Sequence, residues 1–193
     1  MNSPTHSLLA LALLSKKGTP KRNWAVFIGS LIPDLAIYLW APYQSLVKGV
    51  SGEEMWRELY FQAPMQNLIA YFNSIPIYLA LLILGWFGRT KLWGQLLLFF
   101  AAAALIHMAT DLPVHADDAY RHFWPLTDWR FFSPLSYWDA DHHSQWVSGV
   151  ESLIALICIV TLWRRFPKLW VKILLGLSGI FYATALIMLN VIW

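Results

Sequence analysis

The stretch LLLFFAAAALIHMATDLPVH, residues 96–115, decides the fold. Its uninterrupted apolar run, Leu96 to Ile106, meets His107, Asp111 and His115 in steps of four residues. Side chains four apart share one face of a helix. The run therefore reads as a greasy helix that ends by presenting an imidazole and a carboxylate on one side. His115 extends that face by a further turn if Pro113 only kinks the chain.

The rest of the chain agrees with this solvent. Of its 193 residues, 58% are hydrophobic and only 13% charged. A soluble domain carries about 25% charged residues, so water is not the main surrounding. Six apolar segments are expected at 5–15, 24–42, 66–88, 92–110, 148–163 and 169–193. The first is too short to cross a hydrocarbon core that requires about 20 residues of helix, whereas the other five are long enough with some tilt. The expectation is an all-α, polytopic membrane helix bundle: about five transmembrane helices plus a short N-terminal helix, in a single domain, 1–193. Pro33 and Pro76 imply kinks inside two spans. No repeat or low-complexity tract appears, and no cleaved signal peptide is expected, because the first fifteen residues lack a basic start and a small-residue cleavage site. The sole cysteine, Cys158, lies in an apolar run and reads as packing.

Ten of the fourteen basic residues fall in alternate loops, at 16–22, 89–91 and 164–172. The positive-inside rule makes those loops cytoplasmic. This distribution explains the net charge of +3 better than nucleic-acid binding does. The other loops, 43–65 and 111–147, are acidic and aromatic and are expected to face outward. Trp24, Trp40, Trp86, Trp93, Trp163 and Trp170 stand near segment ends, as an aromatic belt requires. The inferred place is the bacterial cytoplasmic (inner) membrane, with membrane lipid as the partner; oligomeric state is not readable.

Against this topology several polar residues occupy costly positions: His6, Asp34, Asn73, His107, Asp111 and Glu151. With the orientation above, all six belong to the outer half of the bilayer or its surface. Polar groups at such depth are paired, bound to something, or functional. Imidazoles and carboxylates gathered in one layer suit Zn2+ or another divalent metal, and such an ion would neutralise carboxylates otherwise stranded. His122 lies four residues beyond Asp118, and His142 and His143 precede Glu151 by about two turns.

The motifs PTHSLL, GSLIPDL, an intramembrane NS, HMATDLPVH and RHFWPLTDWRFFSPLSYWDADHH followed by a glutamate resemble the membrane-bound metal-dependent hydrolases of bacteria. That family is similar in its motifs to the zinc-dependent phospholipase C arrangement. It also looks like a group of small alphaproteobacterial-type membrane proteins commonly labelled cobalamin biosynthesis proteins. The resemblance implies metal ligation by His6, Asp34, His107 and Asp111, with His115 or His122, His142 or His143, and Glu151 as further ligands. Two positions depart from the pattern: Asn73 stands where relatives usually carry a histidine, and the spacing from His142 or His143 to Glu151 is longer. The cobalamin label fails a chemical check. A glutamine amidotransferase of that pathway requires a nucleophilic cysteine in a soluble α/β domain, and Cys158 sits in an apolar helix.

The leading functional expectation is a metal-dependent hydrolase acting on a lipid-like phosphoester or ester at the outer leaflet. Asp34 or Glu151 would be the general base if it is not a ligand. Asn73, Asp118, Trp124 and Asp139 would support the site or the substrate, and the aromatics of 123–138 would seat a lipid. An ion or proton transport component is the alternative, disfavoured because inner halves such as LALLILGWFG offer no polar path. A non-catalytic accessory protein with a structural metal is the other.

Overall fold

The computed structural model describes residues 1–192, with side chains through Met188. Trp193 and the side chain of Asn190, both in the last apolar segment, lie outside the described part. The regular elements of the described chain are all helices, α1 Ser3–Leu14, α2 Pro20–Leu31, α3 Leu35–Pro42, α4 Gly52–Arg57, α5 Ala63–Phe72, α6 Ile75–Phe87, α7 Leu92–Asp111, α8 Ser144–Arg165 and α9 Leu169–Ile192, with short 3-10 and π turns between them and an irregular loop over 115–139. Five stretches are long and apolar enough to cross a membrane: Pro20–Val47, Ala63–Phe87, Leu92–Val114, Ser144–Arg165 and Leu169–Met188. They coincide with the five long segments expected from the sequence, and α1 is the short one. This is a multi-pass membrane protein, and its spans are in contact with lipid.

The kinks expected at the two prolines are fuller breaks. Pro33 cannot donate to the helical ladder, and the chain passes from α2 to α3 through a 3-10 turn, Ile32–Asp34. In the next span, α5 ends at Phe72 and α6 begins after Ser74, whose hydroxyl caps the Ile77 amide. Asn73 Nδ2 donates to Pro33 O at 2.9 Å and to Ile69 O at 3.2 Å. The amide at one break thus satisfies a carbonyl freed at the other, the accounting that hydrocarbon surroundings demand.

Small residues let α7 sit at the centre. Ala101, Ala103 and Ala104 are fully buried, and α7 packs against α1, α2 and α6. Gly29 of α2 approaches so closely that a Cβ there would stand 2.2 Å from the Phe100 carbonyl oxygen. Helix α1 is wedged between this group and α8. On one side Ala10 packs with Val26 and Ala103; on another Leu8 joins Ala155, Cys158, Ile159, Leu162 and Tyr182 of α8 and α9.

The ends of α1 fix its level. Arginines gather on the carbonyls at its C-terminal end: Arg165 Nη1 donates to Leu11 O at 3.0 Å, which also accepts from the Ser15 amide, and to Ser15 O at 2.9 Å, while Arg22 Nε donates to Leu14 O at 2.9 Å. The basic loops thus gather at the C-terminal end of α1, while His6 lies near the opposite end.

Substituting Gly29 by alanine is expected to force α2 from α7 and destabilise the protein by ~1–3 kcal/mol, the usual result of overpacking. Thermal unfolding in detergent measures it. The change Gly52→Ala, where a Cβ meets open space, is the control that should leave the midpoint in place.

Candidate metal centre

Three helices deliver the core of the site. His6 comes from the first turns of α1, and His107 and Asp111 come from one face of the last turns of α7. All three are about 1% exposed. His6 Nε2 lies 2.9 Å from Asp111 Oδ1, and His107 Nε2 lies 2.9 Å from Asp111 Oδ2. The two imidazoles stack, with ring centroids 3.6 Å apart. One donor atom from each residue falls within 4.8 Å of the others, a spacing that could hold a metal ion. The third helix, α2, holds His107 in place through Ser30, whose carbonyl oxygen is 2.7 Å from His107 Nδ1.

The partners of the far nitrogens assign the tautomers. His107 Nδ1 must carry its hydrogen to donate to Ser30 O. Thr110 Oγ1 lies within reach of the Ile106 and His107 carbonyls and 3.0 Å from His6 Nδ1, while His6 Nε2 faces the Met1 carbonyl oxygen at 3.1 Å as well as Asp111. His115 Nδ1 donates to Asp118 Oδ2 at 2.9 Å. Three imidazoles therefore point Nε2 at the same carboxylate, with His115 Nε2 at 3.6 Å from Asp111 Oδ1. Such contacts form when the imidazoles are protonated or when a cation is shared with the carboxylate, and outer partners on Nδ1 are the usual support of metal-ligating histidines. His107 Nε2 is buried and makes no hydrogen bond. The donor set fits a divalent cation such as zinc.

The surroundings extend the cluster. Asp34 Oδ1 is 3.5 Å from His107 Nε2, and its other oxygen accepts from the Ser3 hydroxyl. The α-amino group of Met1 donates to Asp111 Oδ1 at 2.7 Å. Asp118, which anchors His115, is itself fixed by Trp138 Nε1 at 3.1 Å. Burial lowers the His115 pKa, but Asp111 and Asp118 outweigh it and hold it up at about 9.

Other residues expected at the site stand at different distances from it. Glu151 is buried, but its Oε1 accepts from the Asn2 amide at 2.9 Å and the Thr5 hydroxyl at 2.6 Å, so it ties down the start of α1; Oε2 has no partner. His122 is buried beside the break in the second span, with Nδ1 on the Asn73 carbonyl at 3.1 Å. Asn73 Oδ1 is buried without a partner. Trp124 accepts the Ser74 hydroxyl on its carbonyl and sets its ring 5.9 Å from that of Tyr71 at a tilt of 59°. His142 pairs with Asp139 at 2.7 Å in the outer loop, and His143 sits in a left-handed conformation at the head of α8. Neither of these two histidines lies in the His6, His107 and Asp111 group. Sequence reasoning missed Ser3, Thr5, Thr110, Tyr120 and Tyr137, of which Ser3, Tyr120 and Tyr137 line a cavity with Asp34, Asp111 and His115. Thr110 had a signal, since it lies one residue before Asp111 in the stretch that ends the helix.

The pair in the outer loop yields a pH prediction. The hydrogen bond from Asp139 holds His142 above its ordinary 6.5, while His142 and the Asp141 amide hold Asp139 below 3.8. A raised imidazole stabilises fully below 6.5, and that contribution disappears as pH rises through the folded value. A depressed carboxyl stabilises above 3.8, and its share is lost as pH falls through its own folded value. The turn is expected to be tightest between about pH 4 and 6.5. Proton NMR should show His142 titrating above 6.5 in the native chain and returning toward it in Asp139→Asn; no difference between the two would mean the contact does not form.

No family model, curated protein or solved structure matches the chain. What stands is its own geometry: a five-span helical protein whose buried His6, His107 and Asp111 could hold a metal ion.

Proposed function

We propose that this chain is a metal-dependent hydrolase of the bacterial cytoplasmic membrane, acting on a lipid-like phosphoester or ester from the outer leaflet. The observation that carries the reading is the convergence of three imidazole Nε2 atoms on one buried carboxylate, at the end of the bundle away from the basic loops. His6, His107 and Asp111 would hold zinc or a similar divalent ion, with Asp34 and His115 close enough to join them. A bound ion would supply a Lewis acid and make a water molecule acidic enough to attack near neutral pH.

The protein's own groups do the rest. Asp34 lines a cavity of about 110 Å3 beside the cluster and is the nearest carboxylate not already gripped on both sides by imidazoles, which suits it to take a proton from attacking water. Glu151, with one free oxygen, holds α1 and through it the position of His6. The Asp118 and Trp138 pair fixes the ring of His115. Ile37 and Tyr38 carry the cavity wall to the lipid-facing surface of α3, where Tyr38 and Leu39 are exposed. An acyl or prenyl chain can therefore stay in the bilayer while its polar end reaches Asp34. The exposed Trp129, Phe131 and Phe132 of the outer loop would rest at the membrane interface.

The protein purified in detergent is expected to carry stoichiometric metal by elemental analysis, and His107→Ala and Asp111→Asn should lose it together with any metal-dependent hydrolysis. Asp118→Asn should keep the fold and weaken metal binding by ~10–100-fold, the usual result of removing an outer partner of a ligand. Native protein that retains no divalent metal, and takes none up on titration, would end this reading.

A further inference from the structure

The cavity beside the cluster has an unusual balance of charge. Two of its lining residues, Asp34 and Asp111, are carboxylates, and no lysine or arginine side chain lines it. The arginines nearest in sequence are engaged elsewhere: Arg121 with Asp128, Asn67 and the Gln66 carbonyl, and Arg130 with the Ala119 carbonyl. The ammonium in its lining, the Met1 α-amino group, is already paired with Asp111, so an anionic group entering here would find further hydrogen-bond donors among side chains. The cavity offers two well-fixed phenols. Tyr120 is 4% exposed, packs among Ala36, Tyr60, Met65 and Ile69, and sets its ring 4.4 Å from that of His115. Tyr137 places its ring 5.1 Å from His115, and its amide donates to the Val114 carbonyl at 3.1 Å.

We propose that Tyr120 and Tyr137 are substrate-contacting residues, donating hydroxyl hydrogen bonds to an anionic phosphoryl head group. This rests on the hydrolase reading and names the head group its site accepts. The cavity, about 110 Å3, has room for a phosphoryl group, and its open side leaves the rest of the substrate outside. Chemistry sets the sign. Burial, then the neighbouring phenols and the carboxylates, push the Tyr120 hydroxyl far up, and burial, Asp118 and Asp111 do the same to Tyr137. Both hydroxyls serve as donors, adding neutral hydrogen bonds to the single ammonium of Met1.

The test uses the full chain loaded with cobalt(II), whose visible spectrum reports changes at the ion. Inorganic phosphate is titrated into protein in neutral phosphatidylcholine nanodiscs; in a second arm, phosphatidate is built into the nanodisc and no phosphate is added. Phosphate is expected to perturb the spectrum, and Tyr120→Phe and Tyr137→Phe should each weaken it about tenfold or more while cobalt content stays stoichiometric. A response to phosphatidate lost in the same variants identifies a lipid head as the source, and a response to phosphate alone identifies a soluble one. Should Tyr120→Phe fail to fold, Tyr137→Phe carries the comparison. Cobalt bound but no response to either ligand, or equal responses in variants and native protein, overturns the proposal. Failure to bind cobalt at all instead overturns the hydrolase reading beneath it.

Discussion

The structure depends on a helix too short to reach both surfaces. Helix α1 spans only Ser3–Leu14, so its terminal backbone groups cannot all be left to water, and within hydrocarbon each such group must find a partner in the protein. The solution at one end is two arginines on the last carbonyls. At the other end, Glu151 receives the Asn2 amide and the Thr5 hydroxyl, and Thr5 in turn meets Tyr182 at 2.6 Å. These ties draw residues from α2, α8 and α9 onto one short rod. Contacts between α1 and α8 are extensive, and α9 packs chiefly on α8, so α1 joins the α8 and α9 hairpin to the bundle around α7.

The polar layer follows from the same accounting. The Asn73 amide at one break satisfies the Pro33 carbonyl at the other, which places Asp34 and Asn73 at neighbouring positions on two different spans. The end of α7 brings His107 and Asp111 to His6 because alanines and Gly29 allow α1 and α2 to approach closely. The chemistry of the site and the packing of the bundle therefore have one cause. Where helix backbones come nearest, side chains at their ends are forced together.

Much of this was legible in the residues. Long apolar segments separated by basic loops dictate spans by composition alone, and the four-residue step from His107 to Asp111 requires a shared face. The shortness of the first segment also announced a helix that does not cross, whereas the burial of His6 depends on how that helix packs. Other features depend on contacts that spacing does not encode. His142 and Glu151 share the outer end of the last expected pair of segments, yet one closes a loop turn with Asp139 and the other anchors α1. Tyr120 and Tyr137 belong to a stretch so rich in aromatics that composition could not separate rings facing lipid from rings facing the carboxylates. The partners of the Nδ1 atoms, a carbonyl from α2 and a hydroxyl from α7, are visible only after the helices are packed.

One consequence lies in the mechanics of α1. A twelve-residue helix is stiff along its axis, and its far end is gripped by Arg22 and Arg165. The same rod therefore carries two anchors at a fixed separation, the guanidinium groups at one end and the ring of His6, stacked on His107, at the other.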